Sequence, residues 1–316
     1  MGKIKQAMIL AAGLGLRARP LTLVRPKPLF PVWGRPNIVR LIDLLIQAEV
    51  EEIVVNLHHL APLLEDLLSR EKRADIRLLR EKEILGTGGG LGGARAFLTS
   101  PFFVINSDIF LEMDLGEAAD DHLASGAMAT LVMHDCPAFN NTGVAPDGSI
   151  TGFRLARPEP PHKFLTFSGL QALDPGIFKF IPDGPGDIIA VHGDLIAQGL
   201  PVRAHEPPNF VWRDFGTSGS YLELHSLLAR RDPSGPIFIH PEATVHPGAV
   251  IEGWACLGKG AVLEPGAAVK NSILWPGARI AAGVRVTDSV LADRALAVRD
   301  LEGAVLTGPP PEPPIY

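Results

Sequence analysis

From position 239 the sequence keeps a spacing of six: Ile239, Val245, Ile251, Leu257, Leu263 and Val269 are all aliphatic. Pro247-Gly248, Lys259-Gly260 and Pro265-Gly266 punctuate the intervals. After a slip near Asn271 the pattern resumes through Pro276-Gly277-Ala278-Arg279-Ile280 and Val286. Aliphatics at that interval with turn residues between them predict a parallel β-helix. Each coil stacks its row on the next, and no coil buries its row alone. A Gly/Pro-rich linker has no reason to hold such a row. The break Asp232-Pro233-Ser234-Gly235-Pro236 sets the start. It gives a repeat domain at 233–305 and a Pro-rich tail at 306–316, expected to be extended.

Residues 1–232 have a different grain. Ala7–Ala11, Ile53–Leu57, Ile76–Leu79, Phe102–Ile105, Ala127–Met133 and Leu165–Leu173 read as strands. Between them, Ile38, Val39, Leu41, Ile42, Leu45 and Ile46 have helical spacing, as do Leu63, Leu64, Leu67 and Leu68. Ser218–Arg230 reads as a further helix. Strands alternating with helices predict βαβ units and a mainly parallel sheet, with ligands beyond the carboxyl ends of the strands.

Composition narrows the function classes. The 316 residues are 46% apolar and 20% charged, which is globular, and the net charge of −6 argues against a nucleic-acid partner. No apolar run approaches the ~20 residues that span a bilayer. The start is a poor secretory leader, and Gln6 breaks the myristoylation pattern. Cys136 and Cys256 cannot build a disulfide framework. The expectation is a cytoplasmic protein without a membrane partner.

The segment Leu10-Ala11-Ala12-Gly13-Leu14-Gly15-Leu16-Arg17 follows the first strand. Glycines admit phosphate oxygens to backbone N–H groups, and Arg17 adds a forked cation. In Arg25-Pro26-Lys27-Pro28-Leu29, prolines hold the Lys27 ammonium in place. A dinucleotide fingerprint competes: Gly13, Gly15 and Ala18 match G-x-G-x-x-A, and Gly88, Gly90 and Gly93 match G-x-G-x-x-G. The first lacks an acidic residue at the end of its next strand. In the second, Arg80-Glu81-Lys82-Glu83 separates the glycines from their strand.

These segments resemble the sugar-1-phosphate nucleotidylyltransferases, whose G-x-G-x-R-x-x-P-L-T and P-K-P-L signatures stand here at Gly13–Thr22 and Pro26–Leu29, with Leu16 for the usual Thr. Leu85-Gly86-Thr87-Gly88-Gly89 matches the base-side loop. Asn106-Ser107-Asp108 stands where the family has Gly-Asp, and Trp212-Arg213-Asp214-Phe215-Gly216-Thr217 is close to W-x-D-[IV]-G-T. The resemblance implies a three-layer Rossmann-like α/β nucleotidyltransferase domain over 1–232 followed by a left-handed β-helix. It also implies nucleotidyl transfer from an NTP to a sugar 1-phosphate with Mg2+ on Asp108 and Asp214. Arg17 would grip the departing pyrophosphate and Lys27 the phosphate near the reaction centre. Leu10, Ala11, Ala12, Gly13, Gly15, Gly86, Thr87 and Gly88 would line the nucleotide.

On the sugar side the family's E-K-P is replaced by Ala156-Arg157-Pro158. Arg157 is the candidate for the sugar phosphate, with Lys163 a nearby substitute, and Gly143, Ser168 and Gly169 line the sugar. GTP with mannose 1-phosphate is the favoured pair. UTP with an amino-sugar or glucose 1-phosphate is the alternative, and so is a non-catalytic nucleotide-sugar sensor. His240 and His246 in the repeat raise acyl transfer, although the repeat alone produces their spacing. His58-His59 are packing or surface residues, and Trp254 and Trp275 pack the repeat or face another subunit. An exposed β-helix edge favours a homo-oligomer.

Overall fold

The computed structural model describes residues 2–155 and 162–309. It divides into two compact units, each built from separated stretches of chain. One comprises Met1–Gly13, Leu41–Ala61 and Leu68–Trp212; the other comprises Leu14–Arg40, Pro62–Leu67 and Arg213–Tyr316. The helices Asn37–Gln47, Ala61–Ser69 and Ser218–Arg231 form where the apolar spacing predicts them.

In the first unit the strand Gln6–Leu10 lies between Glu52–Leu57 and Phe102–Asn106, parallel to both, and Asp75–Arg80 adds in parallel outside Glu52–Leu57. The inner three are near-continuous apolar runs because helices cover the faces of a parallel sheet, whereas the outer Asp75–Arg80 is charged and partly exposed. The expected mainly parallel order breaks at Lys163–Leu173, which runs antiparallel to Phe102–Asn106 and to Ala129–His134. Beyond it, Ala129–His134 and Val202–His205 are parallel again. Strand direction leaves no trace in an apolar run. Met8, Val54, Phe102, Val104 and Leu131 share one core with Leu91, Ile188, Val191 and Leu195 from the covering helices.

The segment read as a base-side loop is instead a helix, Gly86–Gly93, of sequence GTGGGLGG. Glycine costs a helix about 1 kcal/mol per residue relative to alanine, so local propensity opposes this element. Close packing explains it. A Cβ on Gly89 would lie 2.2 Å from the Gly184 carbonyl oxygen, and one on Gly86 would lie 2.5 Å from that of Gly186. Gly88 N donates to Gly186 O at 2.9 Å, and Gly186 N donates to Leu85 O at 2.8 Å. The helix docks backbone to backbone on a segment a hundred residues away.

In the second unit the repeat forms parallel sheets. Ile237 lies opposite Ala255, eighteen positions on; Val262 opposite Arg279, seventeen on; Val286 opposite Leu301, fifteen on. Columns of left-handed residues turn the chain: Gly248, Gly266 and Gly283; Gly260, Gly277 and Arg294; Gly253, Asn271, Asp288 and Gly303. The slip at Asn271 is a one-residue shortening of that corner: Gly253 and Trp254 separate the paired Glu252 and Ala255, whereas Asn271 alone separates Lys270 and Ser272. Asn and Asp tolerate the left-handed region that the corner requires. Leu257, Leu263 and Val269 are fully buried, but Ile239 is 44% and Val245 38% exposed. Those two open the row, and no earlier coil covers them.

Candidate active site

In the first unit, candidate residues gather where parallel strands end. Ala11 N donates to Asn56 Oδ1 at 2.7 Å, and Asn56 Nδ2 donates to Glu81 Oε1 at 2.6 Å. The other oxygen of Glu81 accepts from Leu85 N at 3.1 Å. Asn56 and Glu81 therefore tie the Leu10–Gly13 segment to the entry of the glycine helix. Sequence reading did not single them out; the available signal was a polar residue at the end of each apolar strand. Leu10 O accepts from Ser107 Oγ at 2.6 Å, which fixes the turn that presents the partly exposed Asp108.

Thr87 Oγ1 accepts from Ile188 N at 3.0 Å and faces Asp187 Oδ1 at 3.4 Å. Arg154 donates to Asp187 Oδ2 at 2.5 Å. Burial pushes the Asp187 carboxyl up, but hydrogen bonds from Ile189 N, Arg154 and Thr87 outweigh it and hold the group below its ordinary value. Asp187 was also missed from sequence. Its signal would have been an N-cap Asp before the apolar run Ile188–Val191.

The sugar-side candidates in this unit have packing reasons for their identity. A Cβ on Gly143 would meet Thr151 Oγ1 at 2.6 Å, and one on Gly169, at φ 87°, would meet Asn106 Nδ2 at 2.8 Å. Gly169 thus sits beside the strand end that leads to Asp108. Ser168 is buried, and its carbonyl accepts from Trp212 Nε1 at 2.8 Å. Arg157 lies outside the described residues. Lys163 is exposed and paired with Glu206.

The second unit carries Arg17 and Lys27. Gly15 opens a 3-10 turn, Leu16–Ala18, with φ 61°. Its Cβ position would lie 2.7 Å from Thr22 Cγ2 and 3.2 Å from Lys27 Cε, so only glycine lets the buried Lys27 stem pass. Arg17 Nη2 lies 3.4 Å from Asp214 Oδ2, and Gly216 N donates to Asp214 Oδ1. The Arg17 side chain is 63% exposed, so the pair is a loose surface contact that keeps both groups available. Among the described residues no group of three or more His, Cys, Asp or Glu could hold a metal ion. His58 Nδ1 hydrogen-bonds Glu81 O at 3.1 Å, and His240 Nδ1 accepts from Glu242 N at 3.1 Å.

A nucleotidyl transferase family profile matches residues 6–231, and a GMPPB C-terminal domain profile matches residues 233–298. The UTP–glucose-1-phosphate uridylyltransferase of Synechocystis is 26% identical, over 95% of this chain and 92% of its own. The mannose-1-phosphate guanylyltransferase of Mycobacterium tuberculosis is 26% identical, over 88% of this chain and 81% of its own. The mannose-1-phosphate guanyltransferase of Saccharomyces cerevisiae is 32% identical, over 72% of this chain and 67% of its own. The solved UTP-bound UGPase from Acinetobacter baumannii shares the fold at a TM-score of 0.62 and 20% identity, covering 73% of this chain and 95% of that one. With the profile spanning the segments that carry Arg17, Lys27, Asp108 and Asp214, this chain belongs to the nucleotidyl transferase family.

Proposed function

We propose that the chain transfers GMP from GTP to mannose 1-phosphate, giving GDP-mannose and pyrophosphate. The observation that carries this is the GMPPB C-terminal profile over residues 233–298, on a chain with mannose-1-phosphate guanylyltransferase relatives in Mycobacterium tuberculosis and Saccharomyces cerevisiae. An oxygen of the sugar phosphate attacks the α-phosphorus, the α–β P–O bond breaks, and pyrophosphate departs. The protein's task is to position two anions and offset their charge. Arg17 grips the departing phosphates, and Lys27 offsets charge at the reaction centre. The backbone of Ala11–Gly13 and Gly86–Gly88, with Gly15, lines the nucleotide. Gly143, Ser168 and Gly169 face the sugar, and Arg157 takes its phosphate.

Asp108 and Asp214 are the carboxylates offered to Mg2+. The donor chemistry fits. Mg2+ takes one or two carboxylates and fills its octahedron with phosphate and water, so it needs no larger protein cluster. The Asp214 side chain is partly exposed, and its Oδ2 is only loosely held by Arg17. When bound, the metal stabilises charge on the phosphates.

We read residues 1–232 as the catalytic domain and 233–305 as a left-handed β-helix that serves a cytoplasmic homo-oligomer. Parallel registers and three columns of left-handed corners support that reading. No described helix is long and apolar enough to cross a membrane. The uridylyl alternative is supported by the Synechocystis relative, which spans 95% of this chain. Pyrophosphate release with Mg2+, crossing the common NTPs with glucose, mannose and N-acetylglucosamine 1-phosphates, separates the readings. GTP with mannose 1-phosphate should be fastest, and Asp108→Asn should abolish it while nucleotide binding remains. Fastest release with UTP would replace the guanylyl reading, and binding without turnover would favour a sensor.

A further inference from the structure

Lys27 stands between two prolines in a 3-10 turn, where Leu29 N donates to Pro26 O and Phe30 N to Lys27 O, both at 2.9 Å. These bonds shape the turn locally, and further anchors come from far along the chain. Arg25, two residues earlier, makes a bidentate pair with Asp293: Nη2 donates to Oδ1 at 2.7 Å and Nε donates to Oδ2 at 2.9 Å. The two side chains are only 5% and 11% exposed. The guanidinium also lies 5.3 Å from the centroid of the Trp275 ring, and Trp275 is fully buried.

Trp275 in turn packs edge-on against Phe30 at 4.8 Å, and its Nε1 donates to Tyr221 Oη at 3.1 Å. The Tyr221 hydroxyl donates to Pro31 O, and His225 Nε2 hydrogen-bonds the same oxygen at 3.0 Å. Residues 25–31 are therefore gripped at both ends. At one end is a fork to Asp293 and a ring from Trp275; at the other are two donors from the helix Ser218–Arg231. Packing alone would need only the rings. A buried ion pair is expensive to desolvate and is often replaceable by apolar residues at no loss of stability. Its distinctive contribution is angular: a planar fork fixes orientation in a way that apolar contact does not.

We propose that Arg25 and Asp293, backed by Trp275, are positioning residues that hold the Lys27 ammonium in register for nucleotidyl transfer, so that the C-terminal repeat supplies a part of the catalytic machinery. The proposal rests on the functional reading above only for Lys27's role. It makes the repeat a brace of the Lys27 segment.

The test uses the full chain with GTP and mannose 1-phosphate as probes, and reads kcat, KM, thermal unfolding and the acetic-anhydride labelling rate of Lys27 against the exposed Lys72. Asp293→Asn should lower kcat by up to about a hundredfold, the penalty for a misplaced catalytic group, with KM for GTP changing far less. Labelling of Lys27 should rise roughly fivefold or more as the segment opens locally, with Lys72 unchanged. Asp293→Glu should restore part of kcat. If Asp293→Asn is folded and both kcat and Lys27 labelling equal the wild type, the proposal is overturned. Should that variant unfold, Arg25→Leu/Asp293→Leu decides: folded with wild-type kcat and Lys27 protection, it reduces the pair to a structural role; folded with low kcat and faster labelling, it supports positioning. If the wild type turns over no pair, the functional reading fails, and the labelling rates still judge the brace.

Discussion

The glycine helix and the repeat corners both depend on glycine, for opposite reasons. At Gly88 and Gly89 the backbone is helical and would suit any residue, and what forbids a side chain is the neighbouring backbone of 184–188. At the corners of the repeat the space is often open, and what forbids a side chain is the left-handed backbone itself. The second constraint is soft. Asn271, Asp288 and Arg294 occupy equivalent corners at φ 47°, 46° and 56°. The first is hard, because a carbonyl oxygen within 2.5 Å of a Cβ cannot be accommodated by rotating a side chain. Glycine imposed by space is thus irreplaceable, whereas glycine imposed by angle admits polar substitutes.

The contrast breaks or sharpens under substitution. Gly89→Ala is expected to have the largest effect. Alanine favours a helix by about 1 kcal/mol, yet the clash with Gly184 O should reverse the sign and destabilise by about 3 kcal/mol or more in denaturant unfolding. A neutral result would show that the 184–188 segment yields, and the hard constraint would be an illusion. Gly283→Ala follows: its Cβ meets nothing within 4 Å, so only φ 71° opposes it, at about 1–2 kcal/mol. Next is Gly93→Ala, at the exposed end of the glycine helix with nothing within 4 Å. It should raise stability by about 1 kcal/mol, opposite in sign to Gly89→Ala in the same helix. The smallest effect belongs to Gly283→Asn, which should cost only a few tenths of a kcal/mol, since Asn visits the left-handed region routinely. If Gly283→Asn costs as much as Gly283→Ala, the corners are constrained by space after all.

What was legible in the sequence was whatever a short window contains. The apolar runs that became Glu52–Leu57, Phe102–Asn106 and Ala129–His134 and the paired glycines of the repeat carry their cause within a few residues. What was not legible depends on a distant partner. The glycine helix exists because residues 184–188 accept it. The reversed strand Lys163–Leu173 has no local mark of direction. Ile239 and Val245 look like the rest of their row and differ only in lacking a neighbour coil. The site divides the same way. Arg17, Lys27, Asp108 and Asp214 stand in recognisable motifs. Asn56, Glu81 and Asp187, which hold Ala11, Leu85 and Thr87, are ordinary residues in sequence and acquire meaning through contacts up to 100 positions away. Arg25 and Asp293 are 268 apart.

The second unit is stitched from Leu14–Arg40, Pro62–Leu67 and everything from Arg213 onward. That division has a consequence in time. A ribosome adds roughly 5–20 residues per second, so it emits the Lys27 segment some ten to forty seconds before Tyr221, the first of the residues that brace it. During that interval Arg17 and Lys27 are attached to a chain that cannot yet hold them still. Residues 25–31 therefore spend most of synthesis without the contacts that hold them in the finished chain, and gain the Asp293 fork only when the last coils have been made.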